Sequence, residues 1–275
     1  MGGFSKGQKR IAAYLLENYD KAAFMTASRL GQQVQVSEST VVRFAAELGF
    51  GGYPNMQREL QKMIRSRLTS VQRIEVAKDR MGDQDVLASV LQSDMEKLRQ
   101  TLEEVDRESF EQATSALAGA RKIYIVGVRS SQALAVFLHF YLSLIFDGAV
   151  LVSANSASEV FERLFWVEPE DVVLGISFPR YSTRTVQAMS FARDRGATTV
   201  AITDSEASPL AAISHYTLTA RSDMASFVDS LVAPLSLVNA LLVAVSQRKN
   251  EDLAQTFHRL EEIWEKYNVY EKVPE

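Results

Sequence analysis

"VQVSESTVVRFAAELGF", residues Val34–Phe50, sets a polar run directly against an apolar stripe, and its reading decides the fold of the first part of the chain. Ser37 is an N-cap candidate, because a serine hydroxyl accepts a hydrogen bond from the free amides of a first helical turn. Glu38 follows it where the helix dipole favours an acid. Val41, Ala45 and Leu48 fall at i, i+4 and i+7, a stripe expected to face a core, and Gly49 supplies the stop. Ser39, Thr40 and Arg43 are left on the remaining faces.

Working outward, Ile11, Tyr14, Leu15 and Tyr19 keep helical spacing between Lys6 and Tyr19. Thr26 is placed to cap a second short helix that carries Ala27 and Leu30 inward. A short helix, a tight turn and a second capped helix make a helix-turn-helix, in which polar side chains at the front of the second helix reach base edges in the major groove. Arg43 then suits guanine O6 and N7, while Ser37, Ser39 and Thr40 suit bases or phosphates. Lys6, Lys9, Arg10 and Arg29 suit phosphate contacts that position the domain without reading sequence. Polar helix starts also occur in small helical packing modules, so this stretch alone leaves both readings open. Gln35 stands where glycine usually accommodates a left-handed turn, at a cost of roughly 1 kcal/mol for a side chain.

The whole chain has 275 residues, 47% apolar and 23% charged, with 13 glycines and 6 prolines. That length exceeds the usual single domain, and the composition supports packed cores. A net charge of -4 hides a division. Residues 1–80 hold 13 Lys and Arg against 7 Asp and Glu, net +6, and the remainder holds 17 against 27, net -10. Such asymmetry points to a nucleic-acid partner for the basic end or to a merely solvated face. The chain contains no cysteine, which excludes disulfides, thiolate zinc sites and cysteine nucleophiles, and fits a reducing cytoplasm. The opening "MGGFSKGQKR" lacks the apolar run of a signal peptide. Leu231–Val245, the longest apolar stretch, is too short for a membrane span and is expected to be a buried core helix.

Pro54–Leu68 and Asp83–Val105 read as further helices, the latter leading through Phe110 to Leu117, with a hinge at Gly82 and Asp83. After Arg121 the texture changes. "KIYIVGV" (Lys122–Val128), "AVLVS" (Ala149–Ser153), "DVVLGIS" (Asp171–Ser177), "TTVAIT" (Thr198–Thr203) and "HYTLTA" (His215–Ala220) are β-rich runs, mostly separated by helical stretches. Apolar strands alternating with helices predict a doubly wound parallel α/β domain. The expected organisation is a helix-turn-helix domain over 1–80, a helical linker over 81–120 and an α/β domain over 121–275.

In such sheets ligands bind beyond the carboxyl ends of strands where the strand order reverses. Two such ends are rich in hydroxyls: "GVRSSQ" (Gly127–Gln132) and "SFPRYSTRT" (Ser177–Thr185). Each leads from a strand into a helix, whose N-terminal amides favour an anion. One phosphate shared by both loops fits, and so does simple helix capping by the same hydroxyls. Neither loop carries the glycines of a dinucleotide fingerprint or a Walker lysine, so no cofactor is expected. His139, His215 and His258 have no metal-ligand spacing and read as structural. Glu159, Glu162 and Asp229 form no acid–base pair, so no catalytic residue is assigned.

Taken together, "AFMTASRL", "VSESTVVRFAAELGFGGYPNMQREL", "IYIVGVRSS", "GISF" and "AITDSEASPLA" resemble the RpiR/MurR family of bacterial transcriptional regulators. That family joins a helix-turn-helix to a sugar isomerase (SIS) domain, and the resemblance covers nearly the whole chain. It implies a homodimer or homotetramer that binds a double-stranded DNA operator, with no membrane association and no enzymatic activity. It also implies a phosphorylated sugar or sugar acid as effector, bound by Ser130 and Ser131 in the first loop and by Ser177 and Ser182 in the second. The family's second loop runs serine, any residue, serine, glycine, any residue, threonine. Here Pro179 and Arg180 occupy the second serine and the glycine. Arg180, with Arg129, is expected to give a charged bidentate contact in their place, beside Thr183. The alternative is a phosphosugar isomerase with an appended DNA module.

Overall fold

The computed structural model describes residues 4–65, 69–74, 85–153, 156–223 and 228–271. The chain divides into two units, one made of Met1–Ser89 with Met224–Val228 and a second made of Val90–Asp223 with Asp229–Glu275. The expected hinge at Gly82 and Asp83 lies outside the described residues, as do residues 66–68 at the end of the helix expected to reach Leu68.

The first unit is helical: α1 (Lys6–Glu17), α2 (Tyr19–Ala22), α3 (Ala27–Gln33), α4 (Glu38–Glu47) and α5 (Tyr53–Arg65). Ser5 opens α1 with a capping box, its hydroxyl accepting from the Gln8 amide while the Gln8 side chain accepts from the Ser5 amide. Its core gathers Ile11, Ala22, Leu30, Val41, Phe44, Ala45, Tyr53 and Met56. Two expectations are corrected. Tyr19 does not extend the first helix: Asn18, at φ -132, breaks the frame, and Tyr19 starts α2 at 41% exposure. Leu48 is not core but the C-cap of α4, 45% exposed, and Phe44 fills the stripe in its place. Gly49, at φ +89, turns the chain there, and the Phe50 amide bonds back to the Ala45 carbonyl at 3.1 Å. This Schellman closure brings Phe50 onto the core instead.

The second unit begins on α6 (Val86–Glu104), whose first turn belongs to the unit before, and continues with α7 (Arg107–Gly119). The helix expected to run on from Val105 is thus two. Asp106 restarts it as a cap, its carboxylate accepting from the Glu108 and Ser109 amides at 3.1 and 3.2 Å. Then follow β1 (Ile123–Gly127), α8 (Ser131–Ile145), β2 (Ala149–Leu151), α9 (Ala157–Leu164), β3 (Val172–Ile176), α10 (Thr183–Asp194), β4 (Thr198–Thr203), a 3-10 turn (Ala211–Ile213), β5 (Tyr216–Thr219), α11 (Val232–Arg248) and α12 (Asn250–Lys266).

The sheet is wholly parallel in the order β2-β1-β3-β4-β5. Strand residues alternate between two cores, as a pleat requires. Ile123 and Ile125 join Leu117, Leu138 and Leu241 on one face, and Tyr124 and Val126 join Val160, Leu164 and Met189 on the other. Helices therefore cover both faces, the doubly wound arrangement that the apolar strands predict. α11, expected to be a buried core helix, buries one face: Leu237, Val238 and Leu241 face the core, whereas Val243 is 57% exposed. Among the described residues no helix is long and apolar enough to cross a membrane.

Candidate DNA interface and effector site

In the first unit α3 and α4 are joined by a turn whose geometry is set by three residues. The Val36 amide bonds to the Gly31 carbonyl at 2.8 Å and the Gln35 amide to the Gln32 carbonyl at 3.2 Å, a Schellman motif with Gln35 left-handed at φ +54. The left-handed residue is thus the one the sequence placed there, although it carries a side chain. The need for glycine falls at Gly31 instead. A Cβ added to Gly31 would lie 2.8 Å from the Val36 carbonyl oxygen, so only glycine lets α3 approach the chain entering α4. A guanidinium nitrogen of Arg10, on α1, donates to the Gln35 carbonyl at 2.8 Å and braces the turn from outside.

The front of α4 is a hydroxyl cluster. Ser37 caps the helix, its oxygen accepting from the Thr40 amide at 3.3 Å and lying 2.9 Å from both the Ser39 and Thr40 hydroxyls. Ser37, Ser39 and Arg43 are exposed, and Thr40 is half-buried against α1, where a Cβ on Gly7 would sit 3.6 Å from its methyl group. Val42 was not singled out by the sequence reading. It is 40% exposed, three residues from Ser39 and one from Arg43, and an apolar group there suits a thymine methyl. Its helical position next to Arg43 was the signal available. Lys6, Lys9, Arg10 and Arg29 are all exposed.

In the second unit the strand order reverses between β1 and β3, which are paired with Gly127 opposite Ile176. The two hydroxyl-rich loops leave the sheet side by side from these paired ends, the crevice where open α/β sheets take ligands. Gly127 sets the first loop. A Cβ on it would stand 2.8 Å from the Ser131 carbonyl oxygen and 2.9 Å from the Ala135 Cβ, so glycine lets the first turn of α8 press on the strand end. Arg129 takes a left-handed φ of +59, an uncommon conformation for a non-glycine residue and one that concentrates at binding sites. Arg129 and Ser130 are exposed and Ser131 is buried.

In the second loop Ser177 is buried. Its amide continues the sheet by donating to the Ile202 carbonyl at 3.1 Å, and its hydroxyl accepts from the Ser182 amide at 3.1 Å. Ser182 stands at the N-cap position of α10 with no side-chain capping bond among the described residues and is half-buried, whereas Arg180 and Thr183 are exposed. The sequence missed two residues of this loop's architecture. The Tyr181 hydroxyl donates to the Asp204 carboxylate at 2.7 Å, and Asp204, directly after β4, is 8% exposed and also takes the Thr203 hydroxyl at 3.4 Å. Asp204 lies in the "ITD" run, and its place at a strand's carboxyl end was the clue. His215 is structural, its Nδ1 accepting from the Thr199 amide at 3.0 Å. Among the described residues no cluster of His, Asp and Glu could hold a metal ion.

Comparison with known proteins agrees with this division. A family model described as a helix-turn-helix domain of the rpiR family matches residues 2–67, and a SIS domain model matches residues 116–244. The HTH-type transcriptional regulator HexR of Pseudomonas aeruginosa is 25% identical, over 94% of this chain and 90% of that protein. The sugar isomerase domain of an RpiR transcription factor from Sphaerobacter thermophilus is 30% identical with a TM-score of 0.62, over 65% of this chain and 99% of that one. The NanR protein of Vibrio vulnificus, solved with ManNAc-6P, shares the fold at 23% identity and a TM-score of 0.62, over 99% of this chain and 97% of that one. HexR and relatives from Haemophilus influenzae and Caldanaerobacter subterraneus carry the names of transcriptional regulators rather than enzymes. With a helix-turn-helix in its first unit and a SIS sheet in its second, the chain belongs to the RpiR family of transcriptional regulators.

Proposed function

We propose that this regulator grips a double-stranded operator through α4 and that a phosphorylated sugar or sugar acid, held between the loops after β1 and β3, changes that grip. The observation that carries the effector half is the pairing of Gly127 with Ile176, from which two loops bearing Ser130, Ser131, Ser177, Ser182 and Thr183 emerge together at the switch point. Exposed Arg129 and Arg180 flank those hydroxyls and supply the charge for a phosphate or carboxylate. NanR, of the same fold, was solved with a phosphorylated sugar, which supports that ligand class here.

On the DNA side Arg43, Ser39 and Val42 read bases, Ser37 and Thr40 anchor the helix front near phosphates, and Lys9 and Arg10 meet the backbone. Arg10 does so while bracing the turn. The protein works as a homodimer or homotetramer in the cytoplasm, so that two α4 helices meet two half-sites related by a two-fold axis. Ligand binding shifts the population between arrangements of the DNA modules, with a coupling of typically about 1–3 kcal/mol.

The test starts with genomic fragments retained by the pure protein. Affinity for a retained fragment is then measured against sugar phosphates and sugar acids, with heats of binding recorded for the parent and for Arg180→Ala. A ligand that alters DNA affinity and binds Arg180→Ala several-fold more weakly is the expected result. If no compound of either class shifts DNA affinity, the effector reading fails.

A further inference from the structure

α6 is built inside out. The residues it buries are Lys97 and Thr101, whereas Leu91, Met95 and Leu102 are more than half exposed. What holds it within the second unit is a set of polar bonds to the segment after β5. The Arg221 amide donates to the Thr101 hydroxyl at 2.9 Å, the Arg221 guanidinium pairs with Glu104, and the Ser230 hydroxyl donates to Asp94 at 2.7 Å. Asp94 also receives Lys97 at 3.1 Å, and the Lys97 ammonium donates to the Ser93 hydroxyl at 2.8 Å. Ser222, 2% exposed, closes the segment by donating to the Ser230 carbonyl at 3.0 Å.

This network reaches the second loop. Burial works against the charge on Arg221, and Glu104, then Asp223 and Asp204, outweigh it and hold the guanidinium above its ordinary pKa. Asp204 is also the carboxylate that receives Tyr181, next to Arg180. The Ala220 amide donates to the Thr203 carbonyl at 2.8 Å, so Asp204 and Arg221 follow the paired ends of β4 and β5, one taking the Tyr181 hydroxyl of the loop after β3 and the other fastening α6. Among the described residues Arg221 Nε is buried with no hydrogen-bond partner. A helix held by a few polar bonds rather than by packing belongs to the low-stability end of a fold.

We propose that Asp204 and Arg221 couple the loop after β3 to α6, the helix on which the chain enters the second unit, so that engaging Tyr181 and its neighbours resets how α6 is fastened. Asp204 and Arg221 are positioning residues, with no ligand contact of their own. The idea rests on the effector reading above for its purpose, but its physical content is a coupling present without ligand.

The experiment is therefore hydrogen exchange on the full-length, ligand-free protein. In Tyr181→Phe, amides of residues 90–104 exchange at least about 5-fold faster than in the parent although Tyr181 lies on another element. Because coupling is reciprocal, Thr101→Val speeds residues 178–182 by a similar factor. Asp204→Asn, which keeps the size of the side chain and removes its charge, repeats the effect on α6 should Tyr181→Phe fold poorly. Ser143→Ala, on the exposed side of α8, leaves both segments at parental rates. Unchanged rates in either direction, in folded variants, overturn the proposal, and so does a uniform acceleration across the whole second unit. Failure of every sugar phosphate to alter DNA binding would sink the effector reading and leave this measurement untouched.

Discussion

Replacing Gly31 by alanine pits two effects of opposite sign against each other. Gly31 sits inside α3, where alanine is favoured over glycine by about 1 kcal/mol from helix propensity alone. Against this stands the contact geometry. The new methyl would lie 2.8 Å from the Val36 carbonyl oxygen, 3.4 Å from the Glu38 amide nitrogen and 3.4 Å from the Ser37 carbonyl carbon. All three are backbone atoms, so no flexible side chain can move aside. The Val36 carbonyl is also held, because the Val36 amide is bonded to Gly31 itself and Ser37 caps α4. Overpacking of this kind costs about 1–3 kcal/mol, and separating the helices weakens a hydrogen bond of about 1 kcal/mol as well. The net expectation is a destabilisation of about 1–3 kcal/mol, confined to the first unit. Both tryptophans, Trp166 and Trp264, lie in the second unit, so their fluorescence reports that unit alone. In a urea titration of the full chain the helical circular dichroism should begin to fall at lower urea in Gly31→Ala, while the tryptophan transition stays put. A neutral or stabilised first unit would show that propensity outweighs the contact, and the account of the turn would be wrong.

Gln35→Gly should move the same dichroism signal the other way: relief of a left-handed side chain, roughly 1 kcal/mol, exceeds the added freedom of the unfolded chain by a few tenths. A lower urea midpoint would mean that the Arg10 brace, not φ, dominates this turn. Arg43→Ala is expected to cost about 1–3 kcal/mol of operator affinity and to relax preference at one base position. Lys9→Ala should weaken binding to all sequences and flatten the salt dependence, both read by fluorescence anisotropy over a salt series. Tyr53 gives a pH signature. Burial raises its phenol to about 12, so the stability it contributes is complete below about pH 10 and is lost as pH rises through 12. Tyr53→Phe should flatten that alkaline loss in the first unit. At neutral pH it should cost only about 1 kcal/mol, because the Met25 carbonyl that Tyr53 bonds at 2.7 Å keeps Gln57 at 2.7 Å.

Much of the architecture was legible because it rests on short-range chemistry. The cap at Ser37, the stop at Gly49, the break of texture after Arg121 and the five apolar strands are local patterns, and the helices and strands stand where those patterns put them. Tyr19 and Leu48 were misplaced by the same reasoning. Periodicity gives the phase of a helix but not where the helix stops, and both residues fall just past an end, Tyr19 after Glu17 and its cap Asn18, Leu48 after Glu47. On the effector side the two loops were readable as strand-to-helix junctions rich in hydroxyls. Asp204 and Tyr181 were not, since 23 positions separate a donor and acceptor that only the parallel order of β3 and β4 brings together.

By itself the sequence determined the helical first unit and the doubly wound second unit, and it suggested the residue types that we propose for a nucleic acid and for an anion. Helix caps and alternating apolar strands are written within a few residues of where they act. The tertiary structure decided which glycine the turn needs, Gly31 rather than position 35, which strands are neighbours, and why α6 buries a lysine and leaves leucines outside. Those outcomes depend on how far one segment's backbone lies from another's, a distance set by packing between elements far apart in the chain.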